Sequence, residues 1–364
     1  MEMQTKKKIG NFAKNYLLPI AFIGAVAEGP NITKSMDMNF SINGFITMSP
    51  LVEKLERGVD QIMTYLHGES NLYEKKKLYE PYVKEAADKY LGGDMNRVWA
   101  VMMTESQMNA LCISNKGAVG LMQILPSGNA EDKSLLDPRT NIMTGISELV
   151  RYKRMFGSWE LAYAAYNAGP NRESIRQGRI PDIKETQYYV PKVMAFHYCF
   201  NNMLWPVSGS KSREVNSDYG MRIHPIYHVQ KQHYGIDIGA HFYEPVYAAL
   251  EGKVVYAGWN GGSGQRVDIE RTFQVKGSKE IRVVTYYSHL QTIMVKKGDT
   301  IKRGTTIGRV GSTGMSTGPH LDFKVTVAGM YYDPLLFLDG KENLFIKPNG
   351  EVVKREGVIE LVKE

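Results

Sequence analysis

Ile281-Arg282-Val283-Val284-Thr285-Tyr286-Tyr287 is a run of β-branched and aromatic residues. Two shorter runs of the same kind precede it, Val246-Tyr247-Ala248-Ala249 and Lys253-Val254-Val255-Tyr256, with glycine-rich turns between them. Such runs bounded by glycine are the pattern of strands joined by tight turns, so residues 205–338 predict an antiparallel β domain. Downstream, Pro319-His320-Leu321-Asp322-Phe323-Lys324-Val325 extends the pattern, and alternation puts residues 320, 322 and 324 on one strand face. Upstream the period changes. Val83, Ala86, Ala87 and Tyr90 mark a helix that Gly92-Gly93 closes, with Asp94 capping the next. Ile146, Leu149, Val150 and Phe156 mark another helix, and Trp159 to Tyr166 a third. Residues 79–204 therefore predict a helical domain, with Trp205-Pro206-Val207-Ser208-Gly209-Ser210 as the boundary, and the fold class is multidomain α + β.

The remaining segments are a connector at 31–78, a tail at 339–364 and an apolar start at 1–30. In the connector, Ile42-Asn43-Gly44-Phe45 suits a tight turn. Leu51, Leu55, Val59, Ile62, Met63 and Leu66 fall at helical spacing. In the tail, Pro348-Asn349-Gly350 suits a turn between two short strands. At the start, Lys6-Lys7-Lys8 precedes the uncharged run Tyr16 to Ala27, which ends Ala25-Val26-Ala27. A basic start, an apolar run and a small-x-small end fit a secretory signal. The run is shorter than the ~20 residues that span a bilayer. Residues 9–27 thus stand either as a cleaved export signal or as a retained arm able to touch a membrane.

A chain of 364 residues with 43% hydrophobic residues can bury more than one core. Its formal charge of +7 favours anionic partners, by steering rather than by fold. No nucleic-acid motif is present and no basic run exceeds three residues, so nucleic acid is not an expected partner. The two cysteines, Cys112 and Cys199, exclude a disulfide-rich scaffold and lack metal-ligand spacing. They read as buried thiols or a single bridge.

Val98, Val101, Met102 and Glu105 lie at i, i+3, i+4 and i+7 and share one helix face. A carboxylate on an apolar face is desolvated, which raises its pKa and suits it to protonate a glycosidic oxygen. Spacing alone leaves open a Glu at the edge of that face, turned to water. Thr104-Glu105-Ser106, Gly117-Ala118-Val119-Gly120-Leu121-Met122-Gln123-Ile124-Leu125-Pro126, Ala165-Tyr166-Asn167-Ala168-Gly169-Pro170 and Glu185-Thr186-Gln187-Tyr188-Tyr189-Val190 follow in order. Together they resemble the soluble lytic transglycosylase family. That resemblance implies a lysozyme-like helical domain in which Glu105 is the sole acid and base. Such a group cleaves between N-acetylmuramic acid and N-acetylglucosamine and closes a 1,6-anhydro ring. It also implies that Ser114, Gln123 and Asn167 bind the sugar, with Tyr166 and Glu185 beside the carboxylate. Ala110-Leu111-Cys112 departs from the family, where proline and small residues stand.

His233-Tyr234-Gly235-Ile236-Asp237, Tyr287-Ser288-His289-Leu290 and Gly318-Pro319-His320-Leu321-Asp322-Phe323 resemble motifs of the M23 zinc peptidases, the lysostaphin-like family. Tyr219-Gly220-Met221-Arg222-Ile223-His224-Pro225 and Gly311-Ser312-Thr313-Gly314 support it. The resemblance implies a Zn2+ held by His233, Asp237 and the residue at 322, with His289 and His320 serving the reaction. A zinc with three protein ligands keeps a position for water and acidifies it. Relatives carry His where this chain has Asp322, and Glu where it has Lys324. Asp322 can ligate zinc, or it can pair with Lys324 in place of a metal.

These readings imply a peptidoglycan-degrading enzyme at the cell envelope or on a phage virion tail tip, whose partners are bacterial peptidoglycan and phage tail proteins. The alternatives are a conjugation or secretion wall-opening factor, a hydrolytic enzyme like goose-type lysozyme, and a structural tail or wall-binding component with no activity.

Overall fold

The computed structural model describes residues 72–126, 133–207, 214–223 and 228–338, and the backbone of 344–346 and 352–354. The apolar start, the turn at 42–45 and the apolar helix expected at 51–66 lie outside the described residues. The described part is helical first and then an antiparallel sheet. In the tail, Leu344–Ile346 pairs antiparallel with Val352–Lys354.

Helix α1 runs Leu72–Tyr90 and buries Tyr79, Val83, Ala86 and Ala87. It begins before the expected residue 79. Lysine-rich 75–77 shows no apolar period, and Pro81 sits in mid-helix on an exposed face. Helix α2 runs Met95–Glu105. The Asp94 carboxylate caps it by accepting from Arg97 N, and Val98 to Met103 are buried. Helix α3, Pro138–Phe156, opens on a proline behind the Asp137 cap and closes on Gly157 at φ 80°. Helix α4 is Trp159–Ala168, α5 the single turn Glu173–Arg176, and α6 Lys184–Asn202.

Gly145 on α3 backs the wall of the helical domain. A Cβ there would stand 2.7 Å from Met122 Cβ and 2.9 Å from Tyr166 Oη. Gly145→Ala is therefore expected to cost about 1–3 kcal/mol through overpacking. Thermal denaturation would show it as a lowered Tm, and an unchanged Tm would mean that this wall is loose.

The strands are β1 Val215–Ser217, β2 Gly220–Ile223, β3 Gln230–His233, β4 Ile236–Gly239, β5 Pro245–Tyr247 and β6 Gly252–Trp259. They continue as β7 Gln265–Phe273, β8 Ile281–Ile293, β9 Thr300–Ile301, β10 Thr306–Val310, β11 His320–Val327 and β12 Met330–Tyr332. The main sheet orders them β1-β4-β11-β8-β7-β6-β9, with β10 joining β5 to β8 and β12 on β11. The pairs are antiparallel throughout, and β2–β3 is a separate hairpin. The opening sequence run thus forms the long central strand β8. Its inward residues Ile281, Val283, Thr285 and Tyr287 are buried.

Helix α6 serves both halves. Its buried Phe196 packs edge-on against Tyr332 at 5.2 Å and beside Phe337, which lies in the short helix α7, Leu335–Leu338. Phe200 meets the same Phe337 at 5.1 Å. Pro191 lies inside α6 and has no N–H, which frees the Gln187 carbonyl from its helical partner. Lys279 N, in the turn between β7 and β8, donates to that carbonyl at 2.9 Å.

Candidate active sites

Glu105 is the last residue of α2, at the end of the helix's buried apolar face. Some of its surface stays open to solvent while protein encloses the rest. Burial pushes its carboxyl up to about 8; the Tyr189 hydrogen bond and Lys192 oppose the shift, and the Glu185 charge adds to it. Tyr189, buried on α6, donates its hydroxyl to Glu105 Oε1 at 2.5 Å. Of the residues expected beside the carboxylate, Tyr166 donates its hydroxyl to the Met122 carbonyl at 2.7 Å. Glu185 accepts from Asn167 Nδ2 at 3.0 Å and pairs with Lys116 at 3.4 Å, largely exposed. The Glu185 charge raises Glu105, and the Glu105 charge in turn adds to the raising of Tyr166 by burial; neither residue hydrogen-bonds to the carboxyl.

Ser114, Gln123 and Asn167 commit their polar atoms to the framework. Ser114 Oγ accepts from Ala118 N, and Gln123 Nε2 donates to the Cys112 and Gly120 carbonyls. Asn167 ties α4 to α6 by accepting from Thr186 Oγ1 at 2.6 Å. Buried Asn141 holds the loop from behind, accepting from Met122 N and donating to the Val119 and Leu135 carbonyls. Cys112 and Cys199 form no disulfide bridge, and Cys112 is only half-buried, unlike the expectation of two buried thiols. Sequence spacing does not single out Tyr189, although it stands four residues after Glu185 on the same helix face. Removing its hydroxyl removes a donor that favours the charged carboxylate. Tyr189→Phe is thus expected to move the high-pH limb of glycan cleavage upward from about 8, as a pH–rate profile would show.

The second site gathers on the β sheet. His233 ends β3 and Asp237 lies in β4. The chain bends between them at Gly235, where a Cβ would stand 2.4 Å from the Phe323 carbonyl oxygen. Register sets Asp322 of β11 opposite Asp237. One donor atom from each of His233, Asp237 and Asp322 lies within 4.8 Å of the others. His233 Nε2 stands 3.3 Å from Asp237 Oδ1 and 3.4 Å from Asp322 Oδ1. The outer carboxylate oxygens carry cations: Arg222 Nη1 lies 2.9 Å from Asp237 Oδ2, and Lys324 Nζ donates to Asp322 Oδ2.

Each imidazole is oriented by a backbone carbonyl. His233 Nδ1–H donates to Asp218 O at 3.0 Å, His289 Nδ1–H to Thr313 O at 2.7 Å and His320 Nδ1–H to Gly318 O at 2.8 Å. A carbonyl only accepts, so Nδ1 bears the proton and Nε2 is left for the cavity. The His289 and His320 rings lie 4.8 Å apart, and His320 Nε2 is 3.7 Å from Asp237 Oδ1. His289 sits at φ 63° between Tyr287 and Leu290, where the β7–β8 register shifts, a bulge that re-aims its ring. The cavity has a volume of about 340 Å³, with the three ligand candidates and both other histidines in its wall.

Burial alone would lower His233, but the hydrogen bonds and charges of Asp237 and Asp322 outweigh it and push it up to about 9. Burial would raise both carboxyls, yet Lys324 and His233 hold Asp322 well below the usual range, and His233 holds Asp237 down. Burial lowers His289. One nitrogen and two carboxylate oxygens converging on a point fit a zinc-type donor set. Metal binding would displace the proton that His233 otherwise holds.

The family profile described as Transglycosylase SLT domain matches residues 81–188, and that described as Peptidase family M23 matches residues 231–334. The chain therefore joins an SLT domain to an M23 domain. It is 36% identical over 121 residues to the DD-carboxypeptidase/endopeptidase Mpg of Neisseria meningitidis, covering 33% of this chain and 26% of that protein. It is 37% identical over 125 residues to lysostaphin of Staphylococcus simulans, covering 33% and 24%. The chain thus spans about a quarter of the length of these curated relatives. Among solved structures, the catalytic domain of lysostaphin from Staphylococcus simulans aligns at 34% identity with a TM-score of 0.30, over 35% of this chain and 92% of that one. A zinc-containing peptidase from Vibrio cholerae aligns at 31% identity with a TM-score of 0.32, over 37% and 39%.

Proposed function

We propose that this chain degrades bacterial peptidoglycan with two heads, divided as 79–204 and 205–338. The helical head cleaves the glycan between N-acetylmuramic acid and N-acetylglucosamine, and the β head acts on the peptide cross-links. The observation that carries the reading is the Glu105 carboxyl, enclosed, hydrogen-bonded by Tyr189 at 2.5 Å and pushed up to about 8. At neutral pH it holds a proton and can give it to the glycosidic oxygen. Once ionised it can take the proton of the sugar's C6 hydroxyl, which closes a 1,6-anhydro ring. In this scheme no second carboxylate is needed, unlike the usual glycosidase pair, and Glu185 is bound by Lys116 and Asn167. Ser114 and Gln123 contribute to sugar binding through the loop they hold, and Asn167 through the α4–α6 tie it makes.

In the β head, His233, Asp237 and Asp322 would hold zinc. A bound zinc polarises a peptide carbonyl and acidifies water. His289 and His320 present Nε2 to the same cavity, where they can hold or release a proton as the amide is cleaved. The Asp322–Lys324 pair favours a second reading of this head alone, as a module that binds the stem peptide on a metal-free peptidase frame.

Peptidoglycan as substrate places the action in the cell envelope. Two wall-opening heads on one chain suit a phage tail-tip lysin, with 9–27 available for membrane contact. A conjugation or secretion factor is the alternative, and virions purified without this protein would exclude the phage placement. Mass spectrometry of fragments from wall sacculi tests the chemistry. Anhydro-muropeptides are expected, with opened cross-links if the β head is loaded. Reducing-end sugars instead would make the helical head a hydrolase, and no fragments at all would leave a binding protein.

A further inference from the structure

Lys324 has a second carboxylate within its reach. Its ammonium holds Asp322 Oδ2, and its side chain is 20% exposed to the cavity. In register, Lys324 of β11 pairs with Tyr286 of β8, and Tyr286 pairs with Asp268 of β7. Residues in register share a sheet face. Lys324 and Asp268 therefore stand in one row, two strand spacings or about 10 Å apart. A four-carbon stem on one side and an aspartate side chain on the other can close that gap.

Asp268 is 5% exposed. Its Oδ2 takes Arg266 Nη2 at 2.8 Å, while buried Oδ1 meets no donor among the described residues. A buried carboxylate oxygen without a donor is costly and calls for an explanation. Burial pushes Asp268 up to about 6 against the pull of the Arg266 and Lys324 charges.

We propose that Lys324 is a tethered cation with two stations, resting on Asp322 when the His233–Asp237–Asp322 cluster is empty and moving to Asp268 Oδ1 when a divalent cation takes Asp322. The inference rests on the metal reading of the β head. Without a metal, the ammonium balances the second carboxylate of a His-Asp-Asp set. A divalent cation on Asp322 repels an ammonium on the same carboxylate, so Lys324 competes with the metal. Asp268 relieves that competition by offering the lysine another partner. Lys324 and Asp268 are positioning residues, and they should shift metal affinity in opposite directions.

Zinc affinity of the full chain, measured by competition with a chromophoric chelator, tests this. Lys324→Met is expected to bind zinc at least about tenfold more tightly than wild type, in the range of a change behind metal ligands. Asp268→Asn keeps the shape and the Arg266 contact but loses the charge, and should bind several-fold more weakly. In the double variant the Asp268→Asn effect should vanish, because its cause is Lys324. Should Lys324→Met be marginally folded, zinc-dependent elevation of its Tm gives the same comparison. Wild type binding zinc with Lys324→Met no tighter would overturn the two-station device and leave the metal site standing. Weaker binding by Asp268→Asn even without Lys324 would overturn the device in the same way. Folded wild type and variants that all bind no zinc would overturn the metal reading, and the device with it.

Discussion

Glu105→Gln is expected to abolish release of glycan fragments and, at pH 8, to raise the Tm of the protein. A general acid or base contributes roughly 10²–10⁴-fold, and here one group is assigned both steps, so a loss of about 10⁴-fold or more is expected. The stability effect has the opposite sign. Glu105 is raised from an ordinary 4.5 to about 8 by burial. A raised group contributes its full stability below the unfolded value and loses it as pH rises through the folded value. Between pH 4.5 and 8 the folded protein therefore weakens as it holds a proton that the unfolded chain has released. Gln resembles the protonated acid and escapes this loss. The gain at pH 8 should be on the order of 2–4 kcal/mol, less than the full shift because the carboxyl keeps some open surface. At pH 4 the two proteins should melt alike. Thermal denaturation at both pH values measures the stability difference, and sacculus digestion measures activity. Equal melting at pH 8 would mean that the carboxyl is not desolvated, and the general-acid assignment would lose its physical basis.

The candidate sites were legible in the sequence where the signal was local. The apolar face that carries Glu105 follows from the i, i+3, i+4, i+7 spacing of one helix. The pairing of Lys324 with Asp322 follows from the two-residue period of one strand. Long-range register was not legible. Nothing near Asp322 announces that β4 sets Asp237 directly opposite, or that β7 places Asp268 in the row of Lys324. Tyr189 lies between these cases. Its i+4 relation to Glu185 is visible, but contact with Glu105 requires α6 to cross the end of α2, which is a matter of packing. His289 is aimed by a bulge in its pairing with the distant strand β7. The early start of α1 was hidden because lysine-rich 75–77 carries no apolar period; Pro81 is tolerated inside the helix because its missing N–H falls on an exposed face where water can satisfy the freed carbonyl.

Phe337→Ala, a change in the β half and outside both sites, is expected to lower stability by about 3–5 kcal/mol and to disturb glycan cleavage with it. Phe337 is 1% exposed and fills the space between Phe196 and Phe200 of α6. The same helix carries Tyr189, which holds Glu105. Its Gln187 carbonyl, freed by Pro191, is bonded by Lys279 two residues before Tyr189. Arg303 Nη1 donates to the Asn202 carbonyl at 3.0 Å, and Tyr198 shares the Glu251 carboxylate with Arg271, which stacks on the Tyr198 ring at 4.1 Å. The first head thus takes part of its core and the position of its hydroxyl donor from the second. A fragment ending near residue 204 would expose Phe196 and Phe200 to water and lose the Lys279 donor. Such a fragment should be unstable or poorly soluble even though every predicted glycan-cleaving residue is in it. Denaturant unfolding of the full chain should show the Phe337→Ala loss as a lowered midpoint, in one transition that intrinsic fluorescence and glycan-cleaving activity follow together. Two separate transitions, with the helical one unmoved by Phe337→Ala, would show that the heads fold independently and that α6 is held by the helical half alone.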